Sequence, residues 1–328
     1  MALTPLPANT PRSFYRGAGR IHRFRGIEPP EDPYYPEDWV GSTTSRFGQA
    51  PLGLSVLPDG TLLADAIAER PEWWLGAEHV AAHGPDPTIL VKLLDAGERL
   101  PLHVHPDRRF AGGHLASPYG KTEAWVVVEA EPDAVVHLGF ARDVAADELA
   151  GWVANQRIEE MLAATNQVPV RAGDAVLCPA GVPHAIGAGV FMVEVQEPTD
   201  FSVLLEWKGF ADGPEGGHLG LGYDVALSCV DRRAWSPAGL AELSGPRGTR
   251  LLPPRADPFF AVERLGDASV LEPAFSVVVV TAGSGELTSE HEPPLAVHAG
   301  HTVLVPHGAG RCTLRGKVQA VRCTPARR

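Results

Sequence analysis

Three histidines and one glutamate in the middle of this chain are the residue types of a metal site. His103 and His105 are two positions apart, and residues with that spacing in a β-strand point to the same face. Both imidazoles therefore converge on one point, which suits a metal ion. Glu123 and His184 lie on further predicted strands and complete a set of three His and one Glu. Zinc favours mixed imidazole and carboxylate sets, although Mn, Fe, Co and Ni also tolerate them.

Two glycine-anchored patterns carry these residues. The first, 97–105, reads G-x5-H-x-H and is followed by Glu123, and the second, 173–184, reads G-x5-P-x-G-x2-H. The combination resembles the two signatures of the cupin superfamily, with a spacer of seventeen residues before the glutamate. The paired signatures favour metal binding. The alternative is a cupin that has lost its metal and keeps the histidines as core residues.

The long spacer and its surroundings resemble a narrower family. Segments 87–107, 119–125 and 179–187, together with Glu194 and Asp200, are similar to class I phosphomannose isomerases. Members of that family are zinc-dependent aldose–ketose isomerases with a metal-bearing cupin, a helical insertion and a second β domain. The resemblance implies that the metal ligands are His103, His105, Glu123 and His184.

Five further polar residues are candidates for handling the substrate. Lys121 matches a family lysine and can polarise the substrate or move a proton. Glu194 or Asp200 can act as the general base, although Glu194 can instead orient a metal-binding histidine. Lys92 and Lys208 are the candidates for substrate binding, Lys92 as a second family lysine and Lys208 as a point charge.

Three positions depart from the family pattern. His103 stands where the family usually has Gln, Pro101 where it has Ser, and Leu204 where it has an active-site Arg. An arginine fork makes two charge-assisted hydrogen bonds to a phosphate, and a leucine makes none. The sequence therefore predicts metal-dependent isomerisation with a reduced preference for phosphosugars, and a free aldose or ketose is the alternative substrate.

The favoured function is the interconversion of an aldose and a ketose, which for this family means mannose 6-phosphate and fructose 6-phosphate. This reaction moves a proton between C1 and C2, and a divalent cation stabilises the enediolate. An oxygenase, an epimerase or a dehydratase can use the same ligand set. A metal-stabilised sugar-sensing or structural cupin is the non-enzyme alternative, and Leu204 keeps it open.

Short strands are the elements that must position these residues. The chain has 328 residues, of which 35 are Gly, 31 are Pro and 44% are apolar, so many short strands joined by turns are expected. We predict a mostly β protein with two cupin-like (jelly-roll) barrels. Residues 1–250 form the metal-binding domain with an extended lead-in, a helix at 62–69 and a helical insertion at 145–164. A linker at 251–255 leads to a second, metal-free β domain at 256–328, where the second cupin signature recurs with Arg311 in place of the metal histidine.

The charge balance limits the kinds of partner. A net charge of −12 argues against nucleic acid and against an anionic membrane surface, because both attract basic proteins. No apolar run reaches the length of a membrane span, and four cysteines without C-x-x-C spacing indicate free thiols. We expect a cytoplasmic protein that binds a small sugar or sugar phosphate. The sequence does not indicate an oligomeric state.

Overall fold

The computed structural model describes residues 3–326, and these residues form three antiparallel β-sheets with short helices between them. This architecture confirms the prediction of a mostly β protein. The first two sheets come from the middle of the chain and carry the candidate site. The third comes almost entirely from the C-terminal segment.

The first sheet is buried at nearly every position. Its five strands, in pairing order, are β2 (Glu37–Val40), β3 (Leu90–Ala96), β10 (Val190–Gln196), β5 (Glu123–Ala130) and β8 (Ala175–Cys178). Six charged residues of these strands are buried with the apolar ones, namely Glu37, Asp38, Lys92, Asp95, Glu123 and Glu194. A buried charge is costly unless it is paired. Asp38 and Asp95 pair with arginines of helix 20–25, whereas Glu37 and Glu194 face Lys92.

The second sheet supplies the histidines. Its strands, in pairing order, are β11 (Val203–Leu204), β4 (His103–Val104), β9 (His184–Ile186), β6 (Val135–Phe140) and β7 (Thr165–Pro169). His103 and His184 are direct partners in the β4–β9 register, so their side chains share a face.

The third sheet joins the two ends of the described chain. Its strands are β1 (Thr4–Pro5), β12 (Phe260–Leu265), β13 (Ser269–Leu271), β14 (Ser276–Ser289), β15 (Leu295–His298), β16 (Thr302–Val305), β17 (Cys312–Arg315) and β18 (Val318–Pro325). The lead-in therefore contributes strand β1 to the C-terminal sheet by pairing with β16. The sequence analysis did not predict this pairing.

The helices are short. They are α1 (Arg20–Arg25), α2 (Leu63–Glu69), α3 (Pro71–Leu75), α4 (Ala77–His83), α5 (Arg108–His114), α6 (Ala146–Asn155), α7 (Ile158–Ala163), α8 (Tyr223–Ala226) and α9 (Pro237–Ala241). Helix α2 confirms the prediction at 62–69. In residues 3–326 no helix has both the length and the apolar character needed to cross a membrane.

The single helix predicted at 145–164 is wrong, because Gln156 divides it into α6 and α7. Gln156 has a φ of 48°, a left-handed conformation that ends α6. Its side-chain amide donates to the carbonyls of Val153 and Leu205, which holds the break in place. Both helices still pack on one apolar cluster through Leu149 and Met161, which explains the continuous apolar spacing.

The linker predicted at 251–255 is not an exposed connection. Leu251 and Leu252 are buried, and the Leu251 N–H donates to the carbonyl of Val262. The largest apolar cluster continues across this point, with members from Leu6 to Cys323. The division into domains 1–250 and 256–328 stays a prediction.

Candidate metal centre and active site

Three imidazoles meet where β4 and β9 pair. His103 opens β4, His105 follows its end, and His184 opens β9. Their ring centroids are 4.2 to 4.9 Å apart, and all three side chains are buried. The structure thus brings together the three histidines that the sequence singled out.

Backbone carbonyls fix the orientation of all three rings. Each Nδ1 atom lies within hydrogen-bond distance of a backbone carbonyl oxygen. The distance is 2.8 Å from His103 to the carbonyl of Pro101, 2.7 Å from His105 to that of Phe201, and 2.9 Å from His184 to that of Val182. A carbonyl only accepts, so each Nδ1 carries the hydrogen and each Nε2 keeps a lone pair. Burial lowers the pKa of His105 to about 3 and also holds the pKa of His103 well below its usual range.

Glu123 faces the imidazoles from the first sheet. Its Oε2 lies 3.0 Å from His105 Nε2, and its Oε1 lies 3.3 Å from His184 Nε2. Trp125 donates its indole N–H to Oε1 at 2.9 Å. Burial alone raises the pKa of a carboxyl, but Lys121, His105 and His184 together outweigh it and hold the pKa of Glu123 well below its usual range.

These residues fit a divalent cation. Nitrogen lone pairs that face carboxylate oxygens at 3.0 to 3.3 Å repel one another unless a cation lies between them. The buried Glu123 Oε2 and His184 Nε2 have no hydrogen-bond partner among the described residues. An unsatisfied buried polar atom costs about 1–3 kcal/mol, and a metal ion satisfies both atoms at once. The ligand atoms of the three histidines lie within 4.8 Å of one another.

Lys121 lies directly beside this cluster. Its Nζ is 3.0 Å from His105 Nε2 and 3.2 Å from Glu123 Oε2, and the residue is 5% exposed. The ammonium group is therefore held at the edge of the candidate metal site. A bound substrate that reaches the metal also reaches Lys121.

Lys92 organises a second group of charges. Its Nζ lies 3.6 Å from Glu37 Oε2, 3.6 Å from Asp200 Oδ1 and 4.0 Å from Glu194 Oε1. Burial lowers the pKa of an ammonium group, but the three carboxylates outweigh it and raise the pKa of Lys92. Lys92 is therefore charged and connects the two predicted base candidates.

The two base candidates differ in environment. Glu194 is buried, and burial together with the charge of Glu123 raises its pKa to about 7. Asp200 is 20% exposed at its side chain and lines a cavity of about 450 Å³. The hydroxyls of Thr43, Ser45 and Thr199 line the same cavity. Glu194 therefore has the proton affinity of a base that works near neutral pH.

Sequence reasoning missed two charged residues of this group, Glu37 and Arg46. Glu37 accepts hydrogen bonds from Tyr15 Oη at 2.9 Å and from Trp39 Nε1 at 2.7 Å. Arg46 Nη2 lies 3.7 Å from Glu37 Oε2, and its Nε lies 3.9 Å from Asp200 Oδ2. Both belong to the N-terminal stretch without periodicity, where only the weak match at 39–42 could have drawn attention to them.

The structure does not bring Lys208 to the candidate site. The residue is exposed, and its backbone N–H donates to Gln156 Oε1. Leu204, in contrast, pairs with His103 in the β11–β4 register and so points to the same face. Its neighbours Val203 and Leu205 pack into an apolar cluster on the opposite face. Leu204 therefore lies beside the candidate metal site and offers it no polar group.

Comparisons with known proteins find similar sequences and similar solved structures. No family model matches the chain. It is 28% identical to mannose-6-phosphate isomerase of Streptococcus mutans over 266 residues, which cover 78% of this chain and 80% of that protein. It is 33% identical to mannose-6-phosphate isomerase ManA of Bacillus subtilis over 155 residues, 47% of each chain. The chain is thus similar in sequence to mannose-6-phosphate isomerases. A solved mannose 6-phosphate isomerase bound with zinc and yttrium shares the fold, with a TM-score of 0.76 and 16% identity over the full length of both chains.

Proposed function

We propose that this protein is a metal-dependent isomerase that interconverts mannose 6-phosphate and fructose 6-phosphate. The observation that carries the proposal is the convergence of three oriented Nε2 lone pairs and Glu123 on one point beside Lys121. Sequence similarity to mannose-6-phosphate isomerases supports the same reaction.

The proposed metal ligands are His103, His105, Glu123 and His184, and zinc is the proposed ion. Nitrogen and carboxylate donors suit zinc, and a solved member of the family is bound with zinc. A bound zinc ion would act as a Lewis acid on the substrate carbonyl and stabilise the enediolate charge. Because Nδ1 hydrogen bonds hold the three imidazoles, their Nε2 atoms are preoriented for this role.

The protein's own groups handle the proton. Isomerisation removes a proton from one carbon, C1 or C2, and returns a proton to the other. Glu194, with its pKa raised to about 7, is the proposed base. Lys121 is charged and lies beside Glu123, so it can donate a hydrogen bond to the substrate oxygen on which negative charge develops. Lys92 and Asp200 border the base and are proposed to position the sugar hydroxyls.

We also infer that the first two sheets form a metal-bearing jelly-roll barrel and that the C-terminal sheet forms a metal-free one. Contacts of Glu123 in the first sheet with His105 and His184 of the second support the first barrel. In the tail, Arg311 takes the metal-histidine position of the repeated signature. It is exposed and pairs with Glu272 at 3.1 Å, which supports a structural role there.

Metal removal and reconstitution test the proposed function. Chelator-treated protein should lose the conversion of mannose 6-phosphate to fructose 6-phosphate under anaerobic conditions, and one zinc ion per chain should restore it. His184→Ala should bind no stoichiometric metal and show no turnover. The matched control, His291→Ala, removes an exposed imidazole and should behave like wild type.

Two outcomes would overturn the proposal. Full metal stoichiometry in His184→Ala would refute the ligand set. Stabilisation by sugars without isomerisation in the zinc-loaded protein would favour a sugar-sensing role instead. Isomerisation without oxygen, in contrast, would exclude an oxygenase.

A further inference from the structure

We propose that Arg46 binds the phosphate group of the substrate. This inference rests on the proposed function, because it concerns how that site recognises a phosphorylated sugar. A phosphate dianion needs a cation with free N–H donors, and Leu204 supplies none. The question is therefore which basic side chain near the site has donors to offer.

Arg46 lies at the boundary between the buried charges and the cavity. Its side chain is 14% exposed, whereas that of Lys92 is 4% exposed. Ser45 and Phe47, on either side of it in the chain, both line the cavity of about 450 Å³. Asp200 lines the same cavity and lies beside the Arg46 guanidinium. Arg46 is thus linked to the cavity through Asp200 and through its two neighbours in the chain.

The donors of Arg46 are only partly used. One N–H of Nη1 donates to the carbonyl of Arg12. The contacts with Glu37 and Asp200 are 3.7 and 3.9 Å long, well beyond the 2.7–2.9 Å of a charge-assisted hydrogen bond. A guanidinium has five N–H donors in a planar fork that matches phosphate oxygens. Arg46 therefore keeps donors that a phosphate group can take.

The neighbouring cations are committed to other partners. Lys121 is within 3.2 Å of both His105 and Glu123, so it serves the candidate metal site. Lys92 lies among three carboxylates and is almost fully buried. Lys208 is exposed and lies apart from these groups. By this comparison Arg46 is the cation best placed to meet the phosphate.

The local charge balance permits this role. Glu37 and Asp200 carry two negative charges, and Lys92 and Arg46 carry two positive charges at 3.6 to 3.9 Å from them. Glu194, 4.0 Å from Lys92, adds a further negative charge only when it is ionised. The phosphate therefore meets carboxylates that already have counter-ions. Hydroxyls of Thr43 and Ser45, which line the same cavity, can donate further hydrogen bonds to it.

Substrate pairs that differ only in the phosphate test Arg46. For zinc-loaded Arg46→Gln we expect KM for mannose 6-phosphate to rise about 10- to 100-fold, the effect of losing one charge-assisted contact. The kcat/KM for free mannose should fall by a clearly smaller factor than that for mannose 6-phosphate, because free mannose has no phosphate contact to lose. The KM of Arg46→Lys for mannose 6-phosphate should lie between those of wild type and Arg46→Gln, because lysine keeps the charge but lacks the planar fork of donors. In the Arg46→Gln background, Leu204→Arg should recover part of the preference for the phosphate ester.

A binding measurement separates recognition from catalysis. Inorganic phosphate should raise the thermal midpoint of wild type and of Arg12→Gln, and should lose this effect in Arg46→Gln. Arg12 is the matched control, because its exposed guanidinium pairs with Asp32. Arg12→Gln also keeps the backbone carbonyl to which Arg46 donates.

The outcomes distinguish this inference from the proposed function. Equal losses of kcat/KM on mannose and mannose 6-phosphate in Arg46→Gln would overturn the inference and show that Arg46 is structural. Unchanged phosphate binding in that variant would overturn it as well. Wild-type protein that isomerises neither sugar would instead refute the proposed function.

Discussion

Glu194 shows how burial and a neighbouring charge set the working range of one residue. Burial and the charge of Glu123 raise its pKa to about 7, while Lys92 and Lys121 limit that rise. A carboxyl must be ionised to accept a proton. Its ability to act as a base is therefore gained as the pH rises through about 7 and lost below it.

We accordingly expect kcat to fall on the acid side with an apparent pKa of about 7. Glu194→Gln should lower kcat by about 10²- to 10⁴-fold at every pH, because the amide accepts no proton. A pH profile of kcat for wild type and variant, with the metal content of each sample measured, checks this. A wild-type profile that is flat from pH 5.5 to 8.5 would assign the base to another group.

Local patterns pointed to the residues that the structure brings together. The H-x-H pair and the second signature predicted one cluster of His103, His105 and His184, because strand alternation converts spacing into direction. Arg46 was missed because it meets Asp200 across more than 150 positions of sequence, and Glu37 because it meets Lys92 across more than 50. Nothing in their own neighbourhood signals these contacts.

At the scale of elements, apolar periodicity located strands better than it located breaks. The apolar run at 135–140 forms strand β6 over its whole length, whereas the run at 100–105 forms a strand only over His103–Val104. Pro101 lacks a backbone N–H, which shortens the ladder there. The break at Gln156 depends on contacts with Leu205 and Lys208, so the apolar pattern of 145–164 could not reveal it.

The α6–α7 break gives a prediction about Gln156. Gln156→Ala should destabilise the protein by about 1–3 kcal/mol, because the backbone keeps its positive φ and loses the side-chain hydrogen bonds. Gln156→Gly should cost about 1 kcal/mol less than the alanine variant, since glycine adopts a positive φ without strain. Denaturant unfolding of both variants measures the difference. Equal stabilities would show that the left-handed conformation adds nothing to the cost.

For the whole molecule, the N-terminal segment joins the sheets to one another. Strand β1 pairs with β16, and the Arg25 side chain donates to the carbonyls of Gly300 and Leu6. Its Nε lies 3.2 Å from Asp38 Oδ2 in the first sheet. The mostly β composition was predictable from turns and apolar runs. This pairing was not, because a two-residue strand has no periodicity.

We expect Arg25→Ala to destabilise the whole protein by roughly 3–5 kcal/mol, because it leaves Asp38 buried without its counter-ion. Arg23 is an exposed residue of the same helix, and Arg23→Ala is the control. Its free energy of unfolding should stay within about 1 kcal/mol of that of wild type. In Arg25→Ala, the unfolding transition measured by tryptophan fluorescence and the one measured by metal release should shift by the same amount. Separate transitions would show that the segment stabilises only one part of the molecule.

The β1–β16 pairing also bears on how the chain folds during synthesis. Thr4 leaves the ribosome three hundred positions before its partner Leu304. The strands that carry the candidate site lie between positions 37 and 204 and can pair while synthesis continues. Strand β1 cannot pair with β16 until residues 302–305 have been made. Contacts between residues so far apart in sequence form slowly, so we expect the β1–β16 pairing to form late in folding.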